Sequence, residues 1–347
     1  MLAPAVPVIE PRKKLIKRAS PDRSQRVRRS IQLAFLFLNF WIGAQFYLFV
    51  GYYESGGSAM RVKRPAGVEG WLPIASLMNL KVLVETGALP RVHPAGTFLL
   101  IAFLAASLIF RKSFCGWLCP VGTISEYLGR LGRKIFGRTF HLPRALDLAL
   151  RSLKYILMAL FLYAVGSMSA AIHDFLDSPY GIVDDVKMLN FFRDLGLFGG
   201  SVLAAIAIGS ILIQNFWCRY LCPYGALMGL VSLVSPSRIR REATLCIDCA
   251  KCAKACPSAL PVDRLITIRS TECITCLQCV AACPAEGALF LSALRKKRVP
   301  AWAVAAAIAT MFLCSYGAAR ATGHWDTNLP DSVYFRLVPH ANEFEHP

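Results

Sequence analysis

The chain has 347 residues, of which 55% are hydrophobic and only 17% charged, where a soluble domain carries roughly a quarter. With a mean hydropathy of +0.47, this composition excludes an ordinary soluble globule and points to an integral membrane protein. The net charge of +18 leaves nucleic acid, anionic lipid or an acidic partner open until the charges are placed along the chain.

A membrane-spanning helix needs about 20 apolar residues. Runs free of Asp, Glu, Lys and Arg predict five spans, at Ser30–Tyr53, Pro94–Phe110, Tyr155–His173, Leu195–Cys218 and Val299–Ala319. The second, with 17 residues, is the shortest. Arg28 and Arg29 precede the first run as in a twin-arginine signal, but a secretory apolar region is roughly 7–15 residues long. Ser30–Tyr53 is longer and ends in tyrosines, so it is read as an uncleaved anchor.

Lys and Arg alternate between rich and poor segments. There are nine in 1–29, nine in 111–154 and twelve in 219–298, against five, two and two in 54–93, 174–194 and 320–347. Under the positive-inside rule, an odd number of spans results, with the N-terminus inside and the C-terminus outside. The basic surplus is thus a topological signature whose partner is the lipid headgroup layer of the bilayer. No motif supports a nucleic-acid partner. The expected organisation is a basic cytoplasmic segment (1–29), four transmembrane helices (30–235), a cytoplasmic metal-binding domain (236–298), a fifth span (299–319) and a periplasmic tail (320–347). The location is a bacterial inner membrane. The fold class is mainly α, a polytopic helix bundle with a small α+β two-cluster ferredoxin domain.

Of 13 cysteines, twelve fall in spaced motifs, which favours metal or cluster binding in a reducing compartment over disulfides. Residues 246–257 and 273–284 each read C-x2-C-x2-C-x3-C-P, the bacterial two-cluster pattern. Three cysteines at that spacing wrap one cubane, and the fourth, on the next turn, points toward the other. Cys246, Cys249, Cys252 and Cys283 are therefore expected on one 4Fe-4S cluster, and Cys273, Cys276, Cys279 and Cys256 on the second. Pro257 and Pro284 end each turn. Ala253, Ala255, Ala281 and Ala282 leave room for backbone N–H groups near the sulfurs. Zinc sites or scattered buried thiols fit two complete copies of the pattern poorly.

A second repeat lies at the inner ends of the second and fourth predicted spans. Residues 115–122 and 218–225 both read C-x3-C-P-x-G. On a helix, i and i+4 share a face, so Cys115 pairs with Cys119 and Cys218 with Cys222 at one depth. These four thiols are candidates for a further metal centre or a redox-active dithiol, the alternative being a packing motif. Cys314, alone in the last span, reads as a small core residue.

On the outer face, His93 and His173 are the candidate quinone-site residues, with Asp174, Glu69 and Glu85 as further proton acceptors by position. The apolar stretch 71–80 is too short to span and is expected at the interface, roofing such a pocket. His324, His340 and His346 lie in the tail. No C-x-x-C-H is present, so covalent haem is not indicated, and no G-x-G-x-x-G marks a nucleotide.

The two C-x3-C-P motifs followed by the double C-x2-C-x2-C-x3-C-P, over about residues 30–300, resemble the NapH, NosR and CcoG group of membrane polyferredoxins. The resemblance implies 4Fe-4S clusters and electron transfer between the quinone pool and a respiratory or metal-centre redox partner. The chain departs from each subgroup. It has neither the large flavin-bearing outer domain of NosR-like proteins nor the added soluble domain of CcoG-like ones, and it has a span more than NapH-like ones. The expected function is an electron-transfer subunit. The alternative is an assembly factor that reduces a metal centre of a respiratory enzyme, with a cluster-based redox sensor ranked last.

Overall fold

The computed structural model describes residues 17–20, 22–140, 142–168, 171–293 and 297–346. Most of the basic N-terminal stretch, His141, Arg295 and Lys296 lie outside the described residues. Helix α1 (Ser24–Glu54) leads through a 3-10 turn at Ala66–Trp71 to α2 (Pro73–Thr86) and α3 (Pro94–Phe110). Next come α4 (Ser113–Trp117), α5 (Pro120–Phe136), α6 (Arg144–Ser167), α7 (Ala171–Leu176), α8 (Pro179–Ile182), α9 (Asp184–Arg193) and α10 (Leu197–Leu212). A single π-helical turn at Trp217–Leu221 precedes α11 (Pro223–Val231). The cysteine-rich segment holds β1 (Arg238–Arg241), α12 (Lys251–Lys254), α13 (Gln278–Ala281) and β2 (Leu289–Ser292), and α14 (Ala301–Ala321) and α15 (Asp331–Leu337) follow.

Among the described residues, three helices, α1, α6 and α14, are long and apolar enough to cross a membrane. α9 and α10 qualify together as a fourth, bent by 84°. Their surfaces explain why they need lipid. Phe37, Phe40 and Trp41 on α1, Tyr163 on α6 and Leu197 and Phe198 on α10 are all more than 60% exposed, an apolar coat that water does not tolerate over so large an area. The described residues thus hold three candidate spans, or four with the bent pair, where five are expected. The run at 94–110 does form a helix with those bounds, but it is short and lies at the centre of the bundle, between α2 and α14, with most of its side chains buried. The third run ends as a helix at Ser167, so His173 belongs to the separate turn α7. The fourth ends at Leu212, so Cys218 lies beyond it.

α5 packs against α1 and α10 but is amphipathic. Its small and polar face (Gly122, Ser125, Gly129, Gly132) is buried, while Ile124, Leu131 and Ile135 are exposed, as on an interfacial helix. It packs on α10 with no room to spare, since a Cβ on Gly132 would stand 1.8 Å from the Ile211 carbonyl oxygen.

The cysteine-rich segment is closed by an antiparallel pair, Arg238 opposite Ser292 through Arg241 opposite Leu289. Its two loops are related by a local repeat. Asp248 and Thr275 have φ of 53° and 50°, and Ala250 and Leu277 have 55° and 57°, so each C-x2-C-x2-C run bends through the left-handed region at the same two positions. The second loop is wedged against the helix ends. Thr275 Oγ1 donates to the Phe110 carbonyl at 2.8 Å, Trp117 Nε1 to Thr275 O at 2.9 Å, and Gln25 Nε2 to Cys276 O at 2.9 Å.

Candidate functional site

The eight ferredoxin-type cysteines converge in two sets. One small cavity is lined by Cys246, Cys249, Cys252 and Cys283. The other is lined by Cys256, Cys273, Cys276 and Cys279. The fourth cysteine of each motif has crossed to the set of the other, as the spacing anticipates. The sets differ in access. Cys276 and Cys279 are buried against the helix ends, whereas Cys249 is exposed.

The chemistry of both sets fits a thiolate-ligated cluster. Burial pushes the Cys276 thiol up to about 12, with the Arg28 cation pulling it back in part, and pushes Cys252 up to about 11. Thiols this reluctant to ionise become thiolates when a cation at the centre of the set offsets their charge, so loading releases protons.

The four remaining motif cysteines also meet. Cys115, Cys119, Cys218 and Cys222 all line one cavity of about 700 Å³. They do so by a different local geometry from the expected i, i+4 pairing on a continuous helix. Each pair brackets a helix break. Cys115 lies in the short α4 and Cys119 caps α5, while Cys218 lies in the π turn and Cys222 caps α11. The cause is Pro120 and Pro223, which lack the N–H that a continuing helix needs and are suited to the first position of a new one. As caps, Cys119 Sγ accepts from Gly122 N at 3.5 Å and Cys222 Sγ from Gly225 N at 3.2 Å. Gly122 is required there, because a Cβ would stand 2.7 Å from the Cys115 carbonyl oxygen.

From the cysteines, the cavity extends between α1, α3 and α14 past Phe35, Leu99, Phe103 and Phe312 to Trp41, Trp71 and Trp325. Trp41 is 70% exposed, on the lipid-facing surface of α1. Within the slot, Trp71 Nε1 donates to Asn39 Oδ1 at 2.9 Å. Its wall of Pro257, Ser258 and Ile274 is shared with the cavity of the Cys256, Cys273, Cys276 and Cys279 set.

Charged groups surround this region, and sequence reasoning missed them. Arg28, fully buried, donates to Glu126 at 2.7 and 2.8 Å and to Gly116 O at 3.0 Å. Lys154 donates to both carboxylate oxygens of Glu272 at 2.6 and 2.8 Å. Lys112, three residues before Cys115, is 2% exposed. Its proximity to the motif was the signal available.

The proposed quinone residues lie elsewhere. His93 and Glu69 are buried together in an ionic network, whereas His173, Asp174 and Glu85 are exposed, and none of the five lines the 700 Å³ cavity. In that network Arg64 reaches Glu69 and Asp185 at 2.6 Å each and lies 2.9 Å from His93 Nδ1, while His93 Nε2 lies 2.8 Å from Asp184. Trp71 and Pro73, from the expected interfacial stretch, do line the cavity.

Known proteins add to this geometry. A family described as "4Fe-4S binding domain" matches residues 92–139 and 195–242, the two C-x3-C-P segments. A "4Fe-4S dicluster domain" matches 238–284. YccM of Escherichia coli (strain K12), provisionally named an electron transport protein, is 48% identical over 326 residues, 92% of this chain and 91% of its own. The regulatory protein NosR of Pseudomonas aeruginosa is 33% identical over 198 residues, 54% of this chain but 27% of NosR. The ferredoxin-type protein NapH of Escherichia coli (strain K12) is 24% identical over 177 residues, 50% of this chain and 57% of NapH. No solved structure matches.

Proposed function

The chain belongs to the NapH- and NosR-like polyferredoxins, and on that premise we propose that it is a membrane-bound conduit passing electrons between the quinone pool and a protein redox partner. The observation that carries the reading is the series of three cysteine quartets. The first lies at the floor of a lipid-open cavity, the second behind a shared wall, and the third at the surface with Cys249 exposed. Cys273, Cys276, Cys279 and Cys256 would hold one 4Fe-4S cluster, and Cys246, Cys249, Cys252 and Cys283 the other. Cys115, Cys119, Cys218 and Cys222 would hold a further centre. Bound clusters supply reversible one-electron transfer. The protein supplies thiolates, dry walls and spacing.

The 700 Å³ cavity, rather than His93 and His173, is the proposed quinone slot. It is aromatic, opens beside Trp41 at the lipid-facing surface, and reaches the first quartet. The cysteine-bearing end faces the cytoplasm, in keeping with the basic segments there. The alternative role of reducing another enzyme's metal centre would draw on His93, Asp184 and Asp185 as ligands, but Arg64 already fills that space as their cation.

Anaerobic purification with iron and sulfide quantitation tests the reading. About twelve iron per chain supports three centres and about eight supports two. Cys115→Ser with Cys218→Ser should then remove about four iron and lower quinol-driven reduction at least tenfold. An iron-free chain would overturn the proposal, and unchanged flux in the double variant would reduce the C-x3-C-P pairs to packing.

A further inference from the structure

Four charged side chains line the 700 Å³ cavity: Lys112, Glu126, Arg219 and Glu272. Three are matched. Glu126 is held by Arg28 at 2.7 Å, Glu272 by Lys154 at 2.6 Å, and Arg219 reaches Asp147 at 2.9 and 3.0 Å. Lys112 is buried and makes no hydrogen bond or ion pair among the described residues. Its ammonium stands beside the cysteines. A Cβ on Gly225 would lie 3.4 Å from both Lys112 Nζ and Cys222 Sγ.

A buried ammonium without a partner is costly, and proteins keep one only where an anion meets it. The one carboxylate that attracts it, Glu272, makes no ion pair with it, because both Glu272 oxygens are held by Lys154 at 2.6 and 2.8 Å. The geometry points to Lys112 as the counter-ion of a net-negative metal–thiolate centre on Cys115, Cys119, Cys218 and Cys222, holding that centre in its place and setting its potential. The inference rests on the third centre proposed above. Four thiolates bring four negative charges that a metal core offsets only in part, and accepting an electron makes the site more negative still. A fixed cation a few ångströms away therefore favours the reduced form. Since Lys112 lines neither ferredoxin-type cavity, and the nearer of the two lies behind the shared wall of Pro257, Ser258 and Ile274, the effect is largely confined to this centre.

The test is a redox titration followed by EPR on the anaerobically purified full chain, comparing Lys112→Met with Lys112→Arg. The third centre is identified as the signal missing from the Cys115→Ser/Cys218→Ser chain. Lys112→Met should lower its reduction equilibrium constant at least tenfold, about 59 mV for a one-electron couple. Lys112→Arg should stay near the parent, and the two other clusters should not move. Loss of the third centre in Lys112→Met alone, with Lys112→Arg intact, would support the same counter-ion role through assembly. An unshifted potential in Lys112→Met, or equal loss in both variants, would overturn it while leaving the third centre standing. Only about eight iron in the parent chain would overturn both.

Discussion

Gly116 and Ile274 meet backbone to backbone: a Cβ on Gly116 would stand 2.3 Å from the Ile274 carbonyl oxygen. Gly116 lies inside the first C-x3-C-P motif and Ile274 inside the second C-x2-C-x2-C loop, so this contact joins the membrane-edge cysteines to the ferredoxin-type segment. Backbone cannot step aside as a flexible side chain can. Gly116→Ala should therefore cost about 1–3 kcal/mol by overpacking. It should lower the thermal midpoint in detergent and slow quinol-driven reduction of the clusters, while dithionite still reduces them. Parent-like quinol kinetics would show that the contact is not needed for transfer.

Arg28 joins α1 to the same junction. It is fully buried and gives Glu126 two hydrogen bonds, and Glu126 also accepts from Gln278 Nε2 at 2.8 Å, Gln32 Nε2 at 3.1 Å and Arg130 at 2.5 Å. Removing one member of a buried pair costs roughly 3–5 kcal/mol when the other is left without a cation, and here Arg130 stays paired with Glu126 and offsets part of that. Arg28→Met should thus be destabilising by less than that full cost, and Arg28→Met with Glu126→Gln should be less destabilised than the sum of the two single variants. Denaturation of the single and double variants checks this. A double variant as unstable as the sum of both singles would remove the coupling.

The cysteine sets were legible in the sequence because spacing determines which thiols reach one point: three-residue steps gather the first three of each motif, and the four-residue step sends Cys256 and Cys283 across. The bounds of Pro94–Phe110 were legible too, since Pro94 starts that helix and charge ends it. What was not legible was how Cys115 and Cys119 come together. A four-residue interval reads as one helix face, yet the proline after each second cysteine starts a new helix and turns that cysteine into a cap. Nor was it legible which cations are internal. Arg28 and Lys112 sit in basic flanks whose ordinary role is contact with headgroups, and only the three-dimensional placement of Glu126 and the cysteine quartet separates them from their neighbours. His93 shows the converse. A histidine at a helix end suggests a ligand-facing group, but here α9 supplies Asp184 and Asp185 to bury it.

Glu69 gives a pH dependence. Burial alone would raise its carboxyl, but the Arg64 guanidinium and His93 together outweigh this and hold it at about 2, and it accepts from Gly96 N at 3.0 Å and Thr327 Oγ1 at 2.8 Å. Because the folded value is depressed, the stabilisation is complete above the ordinary glutamate range, roughly 4.3, and is lost as pH falls from there toward 2. Glu69→Gln should therefore be less stable than the parent at pH 7, and the difference should shrink steadily below pH 4.5. Comparing the two chains under the same conditions cancels any acid lability of the clusters. A difference independent of pH would mean that shape, not charge, is what Glu69 contributes.

Cys283 belongs to the second motif by sequence but lines a cavity with Cys246, Cys249 and Cys252. If that crossing is how the cysteines are used, Cys283→Ser and Cys249→Ser should abolish or perturb the same EPR signal, that of the surface-exposed cluster. Cys256→Ser and Cys276→Ser should both act on the other. The potentials should separate the pairs as well. Cys249 is solvent-exposed and Cys276 is buried beside Arg28, so the two clusters sit in different dielectric and charge environments, both of which set potential. Grouping by sequence motif instead, with Cys283→Ser matching Cys276→Ser, would mean that each loop wraps its own cluster and that the crossing in the fold is not the ligation. The four single variants distinguish the two arrangements without any need to know which soluble partner receives the electron.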